Sequence, residues 1–362
     1  MKRINVTEPY LPPVEEYVEY LRGIWDRNWL TNQGPLAREL EQKLQAYHQL
    51  AAPVHCVANG SLGLQIALKA LGVSGEVITT PFSYVATTAC PLWEGCSVKF
   101  ADIEPDTLTI DPVAVEAAIT SKTEAILATH VFGNPCDVEA LDAIAAKHGL
   151  AMIYDAAHAF GVRYKGKSIL EYGDASMVSL HATKLFHAVE GGFLVAKDPA
   201  VAEKIEWMRR FGHNGQDEFH GVGINAKMSE FHAAMGLCNL NHIGELLEKR
   251  KAICEAYDSA VSTSCHLRRA VLLRGDVEWN TAYYPVVAES QAALLEILSD
   301  MATNGIFPRR YFHPLLNNRN LLHCDKEAAL ENAQCCAERI FCLPLSPDLT
   351  EEHIKLICLH LN

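Results

Sequence analysis

The chain lacks the features that would send it to a membrane or a nucleic acid. No uninterrupted apolar run in its 362 residues is long enough to span a bilayer. The opening MKRINVTEPY passes straight into polar residues and prolines, without an apolar core, so a secretory signal is not expected. Basic residues are in deficit. The 31 Lys and Arg stand against 44 Asp and Glu, a net charge of −13, so no cationic surplus exists to release counterions from a nucleic acid or an anionic bilayer. A few local Arg and Lys could still hold a small anion. The 12 cysteines form no Cys-x-x-Cys pair, and the adjacent Cys335 and Cys336 suit neither a zinc ribbon nor a redox motif. They read as reduced, mostly buried residues of a cytoplasmic protein, and no metal site is expected. The G-x-x-x-x-G-K-[ST] and G-x-G-x-x-G patterns are also missing, which weakens nucleoside triphosphate and dinucleotide readings.

What is present is alternation. After Asn59-Gly60-Ser61, residues Leu64, Ala67, Leu68 and Leu71 recur at helical spacing. Strands are expected at 76–80, 97–103, 125–131, 150–154, 175–180 and 192–196, with helices at 111–119 and 138–148 between them. This βα repetition with apolar strands indicates an α/β unit whose parallel or mixed sheet is covered by helices on both faces. From Ser229 the pattern changes to a helix over 229–262. A strand at 282–287, a helix at 290–304, a strand near 306–312 and a last helix at 351–361 follow. The expected division is a large unit over 1–235 and a smaller α+β unit over 236–362.

Two segments carry chemistry when read together. In SLHATKLFHAVEGG (179–192), Lys184 lies in a turn with Ser179, His181 and Thr183, ahead of Glu190-Gly191-Gly192. In MIYDAAHAFG (152–161), Asp155 ends an apolar strand and His158 follows three residues later. A lysine for a Schiff base and a buried acid to hold a ring nitrogen protonated are what pyridoxal phosphate chemistry requires. Each residue has a plainer use as well. Asp155 could cap a helix, Lys184 could be a solvated surface residue, and His158 could be packed and satisfied. The Asn59-Gly60-Ser61 turn could be an ordinary helix cap or, with its free amides and helix dipole, a phosphate grip.

The ordered motifs LTNQGP (30–35), NGSLGL (59–64), PFSYVATT (81–88), DAAHAFG (155–161), SLHATK (179–184), EGG (190–192), GINAKMSE (223–230) and PRRYFHPL (308–315) resemble those of the DegT/DnrJ/EryC1/StrS family of pyridoxal-phosphate-dependent sugar aminotransferases. The resemblance implies an aspartate-aminotransferase-like fold (fold type I), with a mixed, mostly parallel sheet in the large domain. It implies that Lys184 links to the cofactor and then shuttles the proton, and that Asp155 pairs with the pyridine nitrogen. His158 would sit near the ring oxygen and Tyr84 would stack on the ring. Gly60, Ser61 and Ser179 would grip the phosphate, and Asn225 would reach it from a partner subunit in a homodimer with shared active sites. The implied reaction moves the amino group of L-glutamate to the keto carbon of a nucleotide-linked 4-keto-6-deoxy sugar, with a 3-keto nucleotide sugar, a UDP-4-keto amino sugar or a cyclitol as alternatives. A non-catalytic sensor that binds the cofactor is the reading from another class. Lys227, Arg309 and Arg310 are candidates for the substrate diphosphate, with Tyr311, His313 and His187 near the sugar or base. A dehydratase is disfavoured, because that branch of the family has His at the Lys184 position. Two departures lie near the expected substrate: many relatives have Gly where this chain has Val189, and Arg where it has Lys227.

Overall fold

A computed structural model describes residues 3–270, 273, 275–317 and 330–361. At its centre is a seven-stranded sheet in the order Val54–Val57, Gly192–Ala196, Ala175–Ser179, Ala151–Asp155, Thr123–Thr129, Glu76–Thr79, Ser97–Phe100. Only Gly192–Ala196 runs antiparallel to its two neighbours; the other pairings are parallel. Strands such as Ala151–Asp155 and Gly192–Ala196 are nearly continuous apolar runs, as strands buried on both faces must be. Helices Gly60–Ala70 and Pro199–Met208 cover one face through Leu64, Leu68 and Ile205. Helices Pro35–His48, Val138–His148 and the start of Glu230–Thr263 cover the other through Leu40, Leu141 and Leu237.

The long helix Glu230–Thr263 then leaves that core and enters a second one with Ile253, Tyr257 and Val261. There it meets an antiparallel three-stranded sheet, Leu267–Arg269, Tyr284–Ala288, Ile340–Leu343. Buried Arg250 ties the long helix to this second region. Its guanidinium donates to the backbone carbonyls of Thr281 (3.0 Å), Ala282 (2.6 Å) and Leu345 (2.8 Å). The amino-terminal segment also crosses over: Ile4–Asn5 pairs in parallel with Ile306–Phe307. Among the described residues, no helix is long and apolar enough to cross a membrane.

Several expected elements shift. The strand expected over 97–103 ends at Phe100, and Ile103 makes only an isolated bridge to Ile110. The strand expected over 125–131 is Thr123–Thr129, because Phe132 turns left-handed (φ 57°) in the short helical turn that follows. The strand near 306–312 is only Ile306–Phe307. Pro308 has no N–H to continue a ladder, and Arg309 bridges to Cys342 instead. No helix follows Asp155; residues 156–162 are turns. The edge strand Val54–Val57 was not anticipated, nor were the helices Val14–Arg27, Pro35–His48, Pro199–Met208 and Glu331–Arg339.

Candidate active site

Four parallel strands end at one edge of the large sheet, and each delivers a side chain or turn there. Val54–Val57 leads to Asn59 and the helix Gly60–Ala70. Glu76–Thr79 leads to Tyr84, Ala151–Asp155 ends in Asp155, and Ala175–Ser179 ends in Ser179. This is the edge at which open α/β sheets bind ligands. A cavity of about 300 Å³ opens there, bounded on its far side by Tyr283, Arg309 and Tyr311 of the carboxyl-terminal region.

Gly60 and Ser61 begin their helix, so their amides precede the first intrahelical bond and face the cavity mouth. Asn59 caps the helix, its Oδ1 accepting from the Leu62 amide at 2.9 Å. The cap reading of this turn therefore holds, and it serves the Leu62 amide rather than those of Gly60 and Ser61. A Cβ at Gly60 would come within 2.9 Å of Met177 Sδ, and one at Gly192 within 3.0 Å of the Gly60 nitrogen, so bare backbone is needed on both sides.

Asp155 is only 4% exposed. Its Oδ2 accepts from Thr87 Oγ1 (2.7 Å) and its Oδ1 from the Ala157 amide (3.0 Å). Ser83 joins Thr87 to Thr129 through hydroxyl contacts of 2.8 and 3.0 Å. Burial raises the Asp155 pKa, and the Thr87 and Ala157 donors and the charge on Lys184 oppose that rise.

Lys184 sits at the tip of the hairpin between Ala175–Ser179 and Gly192–Ala196. Its side chain is half-buried and lines the cavity, with Nζ 6.0 Å from the Tyr283 ring centre. Loss of hydration there lowers its pKa to about 8, against a smaller upward pull from Asp155 and Tyr84. His158 is buried, and its Nδ1 accepts from the Phe132 amide at 3.1 Å, so Nε2 carries the hydrogen. Its ring lies 4.6 Å from Tyr283 and parallel to Phe312 at 5.9 Å. Burial holds it neutral, well below its ordinary pKa.

The cavity thus gathers Gly60, Ser61, Tyr84, Asp155, His158, Ser179, Lys184, Arg309 and Tyr311. It does not gather the other expected residues. His187 is packed against the Tyr10 carbonyl. Arg310 donates to the carbonyls of Ala337 and Glu338 at 3.1 and 3.2 Å. His313 and Asn225 are exposed outside the cavity, and Lys227 is tied to Asn225 Oδ1 at 2.5 Å. Thr87 and Tyr283 escaped the sequence reading. Thr87 stands four residues after Ser83 in a hydroxyl-rich run, a usable signal. Tyr283 comes from a distant strand start and carries none.

The residues present suit pyridoxal phosphate. A neutralisable amine, a buried carboxylate, a bare helix start and a neutral imidazole share one cavity. The comparisons with known proteins agree. The model of the DegT/DnrJ/EryC1/StrS aminotransferase family matches residues 13–362. The chain is 39% identical over 359 residues to the dTDP-4-amino-4,6-dideoxy-D-glucose transaminase of Shigella dysenteriae, covering 98% of this chain and 97% of that one. It is 37% identical to the Escherichia coli protein of the same description, again covering 98% and 97%. The solved structure of DesI in the presence of its TDP-sugar product superposes with a TM-score of 0.93 at 30% identity, over 100% of this chain and 92% of that one. Helicobacter pylori PseC, an aminotransferase involved in the biosynthesis of pseudoaminic acid, gives 0.91 at 25% identity, over 99% and 98%. The chain belongs to the DegT/DnrJ/EryC1/StrS aminotransferase family, and it is an enzyme on the fold type I scaffold of the sugar aminotransferases.

Proposed function

We propose that this chain uses pyridoxal phosphate to transfer the amino group of L-glutamate to the keto carbon of a nucleotide-linked 4-keto-6-deoxy sugar, dTDP-4-keto-6-deoxyglucose first. The observation that carries the reading is the enclosed Lys184 amine, with a pKa near 8, sharing one cavity with the buried carboxylate of Asp155. The names of the relatives at 37–39% identity support the sugar and its nucleotide.

When bound, pyridoxal phosphate supplies an electron sink for the carbanion formed as a proton leaves the amino-bearing carbon. The chain does the rest. Lys184 would hold the cofactor covalently, and its Nζ would serve as the group that moves the proton between carbons. The Asp155 carboxylate favours a protonated pyridine nitrogen, as an anion favours any nearby cation. Gly60 and Ser61 offer amides, and Ser179 a hydroxyl, to the phosphate. His158 would offer its Nε2 hydrogen to the cofactor, and Tyr84 would pack against it. Arg309 and Tyr311 close the side where an anionic substrate group enters. Asn225 and Lys227, turned outward, serve the active site of a partner subunit in a homodimer. Residues 1–235 form the cofactor-binding unit in this reading, and 236–362 the smaller one.

The test is a half-reaction. Protein loaded with pyridoxal phosphate is converted with glutamate, freed of excess glutamate, and mixed with keto sugars one at a time. The expected result is recovery of the starting absorbance with the dTDP-linked 4-keto-6-deoxy sugar. Recovery only with a 3-keto sugar would move the site of amination. Near-normal turnover by the Lys184→Ala variant would overturn the mechanism.

A further inference from the structure

Val189 adopts a left-handed backbone, with φ at 65°. A β-branched residue is crowded there, because its Cβ meets the following carbonyl. Its side chain is 43% exposed, so packing of the isopropyl group does not hold it in place. Its backbone is held instead. The Val189 amide donates to His187 Nδ1 (3.2 Å), and its carbonyl accepts from the Ala182 amide (2.7 Å). The neighbouring bonds Ala188 N–H to Leu180 (2.9 Å) and Leu180 N–H to Gly191 (2.9 Å) close the same hairpin. Lys184 is displayed at its tip, and Glu190 and Gly191 line the cavity.

His187 reaches three parts of the molecule. Its Nε2 lies 2.7 Å from the Tyr10 carbonyl in the amino-terminal segment. A carbonyl can only accept, so Nε2 bears the hydrogen and Nδ1 is an acceptor, with the Val189 amide at 3.2 Å and Asn239 Nδ2 at 3.3 Å. Asn239 of the long helix donates to the His187 carbonyl at 2.8 Å. The ring is 2% exposed, and burial keeps it neutral, which preserves this division of roles.

We propose that His187 is a positioning residue: its Nδ1 holds Val189 in the left-handed conformation and so sets the shape of the hairpin that presents Lys184. The clamp belongs to the fold, and only its consequence for the reaction rests on the function proposed above.

Two substitutions separate the nitrogens. Asn at 187 places an oxygen near Nδ1, keeping the acceptor for Val189 and losing the donor to Tyr10. Gln at 187 places an N–H near Nε2 and does the reverse. The experiment is amide hydrogen exchange on the full-length protein, with and without pyridoxal phosphate, for wild type, H187N, H187Q, V189G and H187Q/V189G. H187Q is expected to exchange about tenfold faster over 182–191, and H187N to stay within about threefold of wild type. Glycine holds a positive φ unaided, so V189G in the H187Q background is expected to restore exchange to about that of V189G alone. Should H187Q fail to fold, recovery of folded H187Q/V189G is the same rescue, and no recovery counts against the clamp. Equal effects of H187N and H187Q, or no rescue by V189G, would overturn the proposal and leave His187 as core packing. If pyridoxal phosphate protects none of these amides, the reading of the site fails while the clamp stands.

Discussion

At the residue scale, chemistry concentrates where hydration is lost. Lys184 is charged in water at any ordinary pH, yet its enclosure brings the pKa to about 8. At pH 7 about a tenth of the amine is then unprotonated, several hundredfold more than for a free lysine. Capture of pyridoxal phosphate by the cofactor-free protein is therefore expected to accelerate as pH rises through about 8 and to level off above it, read from absorbance in rapid mixing. Asp155 raises the lysine pKa, so D155N is expected to move that midpoint to lower pH. A wild-type midpoint near 10 would mean that the amine is solvated. Lys184, Asp155 and His158 were legible in the sequence because each is anchored by a short motif at a strand end. Arg310 and His313 stand in a motif too, but adjacent residues on an irregular segment point in different directions. Of that run, Arg309, Tyr311 and Phe312 reach the cavity.

At the element scale, the helix starts tell the same story. Asp111, Asp137, Asp198, Ser229, Ser290 and Thr350 cap their own helices, and such starts can be read from sequence. Two other helices borrow their caps from far along the chain. Pro35–His48 begins after Gly34, which has no side chain to offer, and buried Glu230 accepts from the Leu36 (3.0 Å) and Ala37 (2.9 Å) amides instead. Glu331–Arg339 takes its cap from Asp102, which accepts from the Asn332 and Ala333 amides, both at 2.9 Å. No local pattern announces such a cap, which is one reason the helix at 35–48 was missed. The edge strand Val54–Val57 was missed as well. Replacing Glu230 by Gln leaves one acceptor oxygen for two amides and removes the charge at the helix start. E230Q is expected to lose about 1–2 kcal/mol in urea unfolding. G34A is expected to be destabilised as well, since a Cβ there falls 2.4 Å from the Glu230 carboxyl carbon.

At the scale of the whole molecule, the βα order made the large sheet legible, while its antiparallel strand at 192–196 and the crossing amino-terminal segment depend on contacts no local stretch encodes. The outer surface carries an unusual apolar group: Phe211, Phe219 (69% exposed) and Val222 (90% exposed) share one segment with Asn225 and Lys227. A partner subunit covering this segment is what the dimer reading requires. F219D/V222D is expected to shift the protein toward monomer in sedimentation velocity and to weaken pyridoxal phosphate binding, with helical content retained. A variant that stays dimeric with full cofactor affinity would place the interface elsewhere. The amino-terminal segment has a practical side too. It is stitched to the carboxyl-terminal region through Ile4–Asn5 and Val6, whose carbonyl accepts from Leu345, and a few residues later it hands the Tyr10 carbonyl to His187. A bulky purification handle fused ahead of this stretch would lie beside the Ile4–Asn5 pairing that ties the amino-terminal segment to the carboxyl-terminal region, so the handle is better placed at the other end or cut away before the enzyme is assayed.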